Sequence, residues 1–298
     1  MILVVAFGER AAMRSVNRDN ITDAFMAYCA DTTEPRLKFV LSRLVGHLHA
    51  FAKEVELTHV EWLLGIELLS RAGAISSSER NEFILLSDVL GLSSLIDMIN
   101  SKGGTELSPL GPFYIEGAPL LEPGADLIGD NQGAHVAFHG RVFDAAHGAP
   151  IAGALLDVWQ TASNGLYSNQ DAAQPDLNLR FKMRAGQDGG FAFTTVRPAP
   201  YSVPDDGPVG MLLRATGRHA WRPAHFHFMI SAPGHRSLAT EIFMEGDRYL
   251  DEDAVFGVRE ALIVRPSRET DVEAVPFVLA AQDRLARPFD RIAYDFRL

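Results

Sequence analysis

Cysteine is nearly absent: Cys29 stands alone in 298 residues. That excludes an intrachain disulfide framework and any cysteine-built zinc site. The lone thiol reads as a small buried apolar residue in a reducing compartment. Positive charge is in deficit, with 27 Lys and Arg against 38 Asp and Glu and a net charge of −11. Such a chain is soluble and a poor partner for nucleic acid. Long apolar runs are missing as well. No stretch approaches the ~20 residues of a membrane span. The apolar opening Met1–Phe7 is followed at once by Gly8-Glu9-Arg10, so no signal peptide is expected and the expected location is the cytoplasm. What is present is ordinary for a globular protein: 47% hydrophobic and 22% charged residues, enough for a real core and too apolar for global disorder. With cysteine gone, ten histidines and six tyrosines are the raw material for metal chemistry.

The chain changes period partway along. From about Ile21 to Asn100 the period is helical. Leu37, Val40, Leu41, Leu44, Leu48, Phe51 and Val55 fall on one helix face, with Thr33 and Pro35 as its start. Thr58 followed by Glu61 reads as a capping box for a second helix through Leu63, Leu64, Leu68 and Leu69, which Gly73 can end. Ser76 with Glu79 repeats the box before Phe83, Leu86, Val89 and Leu90. His47, His49 and His59 in this part read as helix-surface or interface residues. From about His135 the period is two. Strands are expected at Ala134–Phe143, Ala154–Trp159, Phe191–Val196, His225–Ile230, Thr240–Met244 and Ala261–Val264, separated by Gly/Pro/Asp clusters. Many short strands so spaced argue a β-sandwich or barrel, with Gly103–Gly133 as the linker. The expected class is α+β: a helical domain over 1–105, then an all-β sandwich over 106–298. Lys182, the only lysine after residue 105, is consistent with that division.

His225-Phe226-His227 is the centre of the functional argument. Side chains two apart share a strand face. His225 and His227 therefore point one way, while Ala224, Phe226 and Phe228 point the other way into apolar packing. Two imidazoles so placed either converge on one metal or are hydrogen-bonded independently, and spacing alone does not choose. Further ligands are scarce. The carboxylates of the β half cluster in turns, as in Asp205-Asp206 and Asp247…Asp251-Glu252-Asp253, and read as turn and solvated residues. Tyr167 and Tyr201, the second in a proline-flanked loop, are the alternative. A phenol with a pKa near 10 ionises only with strong help, a highly charged cation supplies it, and a hard ferric ion favours such an anionic oxygen. Taken singly, each tyrosine reads as a buried ring with a bonded hydroxyl.

Taken together, Leu155-Leu156-Asp157-Val158-Trp159-Gln160, Gly165-Leu166-Tyr167, Tyr201-Ser202-Val203-Pro204-Asp205-Asp206-Gly207-Pro208 and Arg222-Pro223-Ala224-His225-Phe226-His227 resemble the intradiol ring-cleavage dioxygenases. The resemblance implies a non-haem Fe(III) site held by Tyr167, Tyr201, His225 and His227. Tyr201 and His227 would be axial, and Tyr167 and His225 equatorial beside a hydroxide. It further implies that the helical half is the dimerisation domain of the catechol and hydroxyquinol branch, with phospholipid at the interface. The protocatechuate branch lacks such a domain.

Within that branch, Leu110-Gly111-Pro112-Phe113-Tyr114, Ser87-Asp88-Val89-Leu90-Gly91 and Gly246-Asp247-Arg248-Tyr249-Leu250-Asp251 resemble the hydroxyquinol enzymes. The implied reaction is cleavage of an aromatic diol or triol by O2 between its hydroxylated carbons. Hydroxyquinol would give maleylacetate, and catechol or a chlorocatechol a cis,cis-muconate. On binding, the diol would release Tyr201, which takes one of its protons. Arg222 is the candidate for stabilising negative charge on the substrate. Leu85, Asp88, Leu110, Gly111, Pro112, Phe113, Val203, Pro204 and Glu241 are the candidate substrate contacts, with Asp88 a candidate acceptor for a third hydroxyl or else a helix-surface residue. Glu241 departs from the glutamine usual in catechol-type relatives, and is either an active-site carboxylate or an arginine's partner. The reading outside the enzymes is a β-sandwich binding module with a structural metal.

Overall fold

The computed structural model describes residues 15–77 and 80–298. The Met1–Phe7 segment and Glu79, half of the second expected capping box, lie outside the described residues. The chain divides into two compact units at Leu68/Leu69.

The first unit is helical. It holds α1 (Ile21–Tyr28), α2 (Pro35–Glu54) and the first part of α3 (His59–Ile75). Pro35 occupies the first turn of α2, where its missing N–H costs nothing. The Glu34 carboxylate, rather than Thr33, accepts the free N–H groups of Arg36 and Leu37. The capping box of α3 forms as expected: Thr58 N–H donates to Glu61 Oε2 at 2.9 Å and Glu61 N–H to Thr58 Oγ1 at 3.3 Å. Cys29 is half-buried at the end of α1 rather than in a core. No residue of α2 is buried. The apolar face read from the sequence exists but lies open, with Leu44, Leu48 and Phe51 each more than half exposed.

In the second unit α3 runs past Gly73 to Ile75. Helices α4 (Glu82–Val89) and α5 (Leu92–Asn100) follow. Asn81 caps α4 by accepting from Phe83 and Ile84 N–H, both at 3.1 Å, while Ser76 Oγ accepts from Glu82 N–H. The regular elements after them are mostly strands: β1 (Leu120–Leu121), β2 (His135–Phe143), β3 (Leu155–Gln160), β4 (Arg180–Arg184), β5 (Gly190–Val196), β6 (Tyr201–Ser202), then α6 (Pro208–Ala215), β7 (Trp221–Arg222), β8 (His225–Ser231), β9 (Leu238–Met244), β10 (Ile263–Val264), β11 (Ser267–Glu269), β12 (Phe289–Ala293) and β13 (Phe296–Arg297). The class is α+β, with helices first and sheets after them.

Two sheets carry this unit. One has the order β1-β4-β3-β8-β9-β10; the other has β11-β12-β2-β13, with β5 paired to β2. The core lies between them. Phe138, Phe191 and Phe193 of one sheet meet Phe181, Phe226, Phe228 and Ile242 of the other, and Phe138 contacts Phe193 and Phe226 at centroid distances of 5.3 Å each. Fully burying each such ring contributes about 1.5–3 kcal/mol. Phe226 and Phe228 thus anchor β8 by its core face, and strand alternation turns His225 and His227 to the other face. There β8 lies between β3 and β9, with His227 opposite both Trp159 and Glu241.

Candidate metal centre

Three local devices assemble the site. The β3–β8–β9 ladder supplies His225, His227, Trp159 and Glu241. The short β6–β7 ribbon sets Tyr201 directly opposite Arg222. The turn after β3 delivers Tyr167, whose N–H donates to Gln170 Oε1 and whose ring lies 5.4 Å edge-on from that of Tyr201. All four candidate ligands are buried. His227 Nε2 is 3.0 Å from His225 Nε2 and 3.1 Å from the Tyr167 hydroxyl. The Tyr201 ring lies 5.6 Å from that of His225.

The electrostatics of this set suit a cation. Burial pushes the Tyr167 hydroxyl well above the usual tyrosine range and Tyr201 up to about 12. Burial also lowers both imidazoles, His227 further than His225. Without an ion the four side chains are therefore neutral. The Nδ1–H of His225 donates to the Pro223 carbonyl at 2.7 Å, so its Nε2 presents a lone pair toward His227. The Tyr201 hydroxyl is buried with no hydrogen-bond partner among the described residues, a costly arrangement for a polar group. Oxygen and nitrogen donors with no sulfur, ionisable only beside a strong positive charge, fit a hard trivalent ion.

Glu241 forms a triad of possible donors with the two histidines: ligand atoms of His225, His227 and Glu241 all lie within 4.8 Å of one another. Its carboxylate is already engaged. Arg222 Nη1 and Nη2 donate to its two oxygens at 2.6 and 2.9 Å, and Ser108 Oγ donates to Oε2. Burial pushes the Glu241 carboxyl up, but Arg222 and these hydrogen bonds outweigh it and leave it below its usual value. Asp253 grips the same guanidinium through Nε at 2.9 Å and Nη2 at 3.1 Å. Two carboxylates against one guanidinium leave the cluster with an excess negative charge.

The other candidates are placed as follows. Arg222 is buried, not a surface residue. Asp88 is buried on α4, and burial raises its carboxyl, so the helix-surface reading is excluded. Leu85 and Val203 join Tyr167, Tyr201, Trp159 and Val255 in one buried apolar cluster, with Phe113 packed against it. Phe113 lies 4.9 Å from the Tyr167 ring and 5.8 Å from that of Tyr201. Gly111 has φ +75°, and a Cβ there would meet His227 Cε1 at 3.2 Å. Pro112 and Pro204 are half-buried, and Leu110 is the most exposed at 40%.

The turn reading of the 247–253 carboxylates holds for the exposed Asp251 and Glu252 and for Asp247, whose Oδ1 accepts the Tyr249 N–H, but it needs correction at Asp253. Asp253 is 7% exposed and ion-paired, and Asp247 Oδ2 accepts the Ala224 N–H at 2.9 Å. Ser108, Asp253 and Trp159 were not singled out from the sequence as site residues. Only Trp159 carried a signal, its place in the motif ahead of Tyr167.

Residues 110–298 match the family model described as Dioxygenase, and residues 34–106 the model described as Catechol dioxygenase N terminus. A 6-chlorohydroxyquinol 1,2-dioxygenase from Cupriavidus pinatubonensis is 47% identical over 87% of this chain and 95% of that protein. Among solved structures, a hydroxyquinol 1,2-dioxygenase from Pseudomonas putida DLL-E4 superposes with a TM-score of 0.85 at 44% identity, covering 94% of this chain and 97% of that one. A catechol 1,2-dioxygenase from Acinetobacter radioresistens reaches 0.78 at 31% identity, covering 95% and 93%.

Proposed function

The chain belongs to the intradiol dioxygenase family, and we propose that it cleaves hydroxyquinol with O2 to give maleylacetate, with Fe(III) held by Tyr167, Tyr201, His225 and His227. The observation that carries the choice of substrate is the ranking of relatives: 44–47% identity to enzymes named for hydroxyquinols against 31% for the catechol enzyme above. The buried Asp88 carboxylate supports it as an acceptor for the third hydroxyl that catechol lacks. Catechol or chlorocatechol cleavage is the second reading.

Ferric iron, when bound, supplies the redox chemistry and the positive charge that ionises the phenols. The protein does the rest. Tyr201 is the proton acceptor for a substrate hydroxyl; with a phenol pKa of about 12 in its buried place it holds that proton once taken. Of the five guanidinium N–H groups, the bonds to Glu241 and Asp253 occupy all but one, on Nη1. Arg222 stands opposite Tyr201, so that remaining donor is available to developing substrate charge on the Tyr201 side. Because two carboxylates share the guanidinium, it acts by direction rather than by net charge. Leu85, Leu110, Pro112, Phe113, Val203 and Pro204 enclose the ring, and Gly111 lets the loop approach His227.

The helical part, 1–105, is read as the dimerisation half and 106–298 as the catalytic half. The open apolar face of α2 supports a homodimer, with phospholipid as a second occupant of that face. No described helix is long and apolar enough to cross a membrane. The half-buried single thiol fits a reducing cytoplasm.

Initial rates of O2 uptake with hydroxyquinol, 6-chlorohydroxyquinol, catechol and 4-chlorocatechol test the proposal. Faster turnover of catechol than of hydroxyquinol overturns the choice of substrate. A colourless protein that takes up no ferric iron overturns the centre itself.

A further inference from the structure

The two histidines of the centre are held by different means. His225 is fixed in the usual way for a metal ligand, its second nitrogen donating to a carbonyl at 2.7 Å. His227 has no such tether. Its Nδ1 is buried without a hydrogen-bond partner among the described residues, and the Glu241 Oε1 carboxylate oxygen is 3.5 Å away. An imidazole without that bond can turn about its Cβ–Cγ axis, which swings Nε2 off any fixed direction.

What His227 has instead is a face. Trp159 sits directly opposite it on the neighbouring strand. The two rings are parallel within 7° at a centroid distance of 4.7 Å. The Gly111 backbone closes on the Cε1 edge, so close that an added Cβ would lie 3.2 Å from it. The indole Nε1 is itself buried without a partner, so its N–H serves no hydrogen bond and the ring face is what the site uses. Stacked aromatic pairs are stabilised beyond their burial, and the electron-rich indole attracts an imidazole made electron-poor by a bound cation.

We propose that Trp159 is the positioning residue of His227, setting by stacking the ring direction that His225 owes to a hydrogen bond. The proposal rests on His227 being a ligand of ferric iron. The test compares Trp159→Phe, which keeps a ring, with Trp159→Met, which keeps bulk and loses it. Each is purified and loaded with iron. Trp159→Met is expected to broaden the ferric EPR signal and to lose iron to a chelator about 10–100-fold faster. Trp159→Phe should restore both to within a few-fold of the parent. If both variants melt lower but keep the parent EPR line shape and iron retention, Trp159 is packing alone and the proposal fails.

The unaltered iron-free protein gives a second readout that no misfolded variant can obscure. The His227 ring protons should be shifted upfield by the indole ring current, and their absence from the upfield region also overturns the stack. A parent protein that binds no iron but shows the upfield protons would instead overturn the ferric reading.

Discussion

Leu44, Leu48 and Phe51 on α2 are 52–54% exposed, whereas Arg222, Glu241 and Asp253 in the second unit are 1%, 0% and 7% exposed. One region leaves apolar side chains in water, and the other takes charge out of it. Each is costly for the isolated chain. Open apolar surface forfeits roughly 25 cal/mol per Å2. A buried ion pair recovers its desolvation only when its geometry and hydrogen bonds are complete. On the proposed reading each arrangement is balanced by something beyond its own residues: the helical face by another apolar surface, and the excess negative charge of the buried cluster by a cation at the neighbouring histidines and tyrosines.

The largest test of that contrast removes a donor from the buried side. Tyr167→Phe leaves the fold a ring of nearly the same shape and deletes one anionic oxygen. It should abolish much of the broad visible tyrosinate-to-iron band. It should also lower O2 uptake by more than about 100-fold, beyond the range of groups that only support a ligand. An unchanged spectrum would remove Tyr167 from the ligand set.

Next in size is the removal of the shared cation. Arg222→Met would leave Glu241 and Asp253 buried and facing each other, destabilising by about 3–5 kcal/mol and lowering the melting temperature by roughly 10 °C. Calorimetry on the iron-free protein checks this separately from catalysis. A loss under ~1 kcal/mol would mean that the two carboxylates reach water.

On the exposed side the expected effect is on mass rather than stability. Leu44→Asp with Leu48→Asp alters only open positions, so the melting temperature of a monomeric sample should move little, within about ±0.5 kcal/mol per surface change. Sedimentation should show the species falling to half its mass. If the parent is already monomeric, the open face has another use and the contrast loses half its meaning.

What could be read in advance followed from local periodicity. The alternation Ala224–Phe228 placed two histidines on one face because β8 has a single apolar side to bury, and the structure turns both away from the Phe-rich core. The α3 capping box was equally legible, since its partners are three residues apart. What was missed is either non-local or masked by composition. Pro208 closes a Gly/Pro/Asp cluster in the sequence, yet it starts α6, where a proline at the first turn is at home. Strand β4, Arg-Phe-Lys-Met-Arg, has only two apolar residues, and its buried Arg180 is satisfied by Ser168 and Asn169 from outside the strand. Asp253 reads as a solvated turn residue until Arg222, 31 positions away, is brought against it. No window on the sequence contains that pairing.

Glu241→Gln is the finest probe, because it changes one charge at the boundary between the Arg222 cluster and the histidines and keeps the shape. The amide oxygen can still accept from Arg222, and Asp253 continues to hold the guanidinium, so the stability cost should be on the order of 1 kcal/mol, smaller than for Arg222→Met. The electronic effect has a definite sign. With ferric iron held as proposed, the visible band would move an electron from phenolate to iron, and a carboxylate 3.4 Å from His225 Nε2 would oppose that movement. Two unit charges about 5 Å apart at an effective dielectric near 20 interact by about 3 kcal/mol, and Arg222 cancels part of the Glu241 charge. Removing it should therefore shift the band to lower energy by on the order of 1 kcal/mol. The hydroxyquinol-to-catechol ratio of kcat/KM should shift by roughly fivefold if the same charge also tunes the substrate. A band that stays in place while the melting temperature falls would assign Glu241 to holding Arg222 and nothing more. A band that moves with an unchanged substrate ratio would locate its influence at the metal and leave discrimination of the third hydroxyl to Asp88.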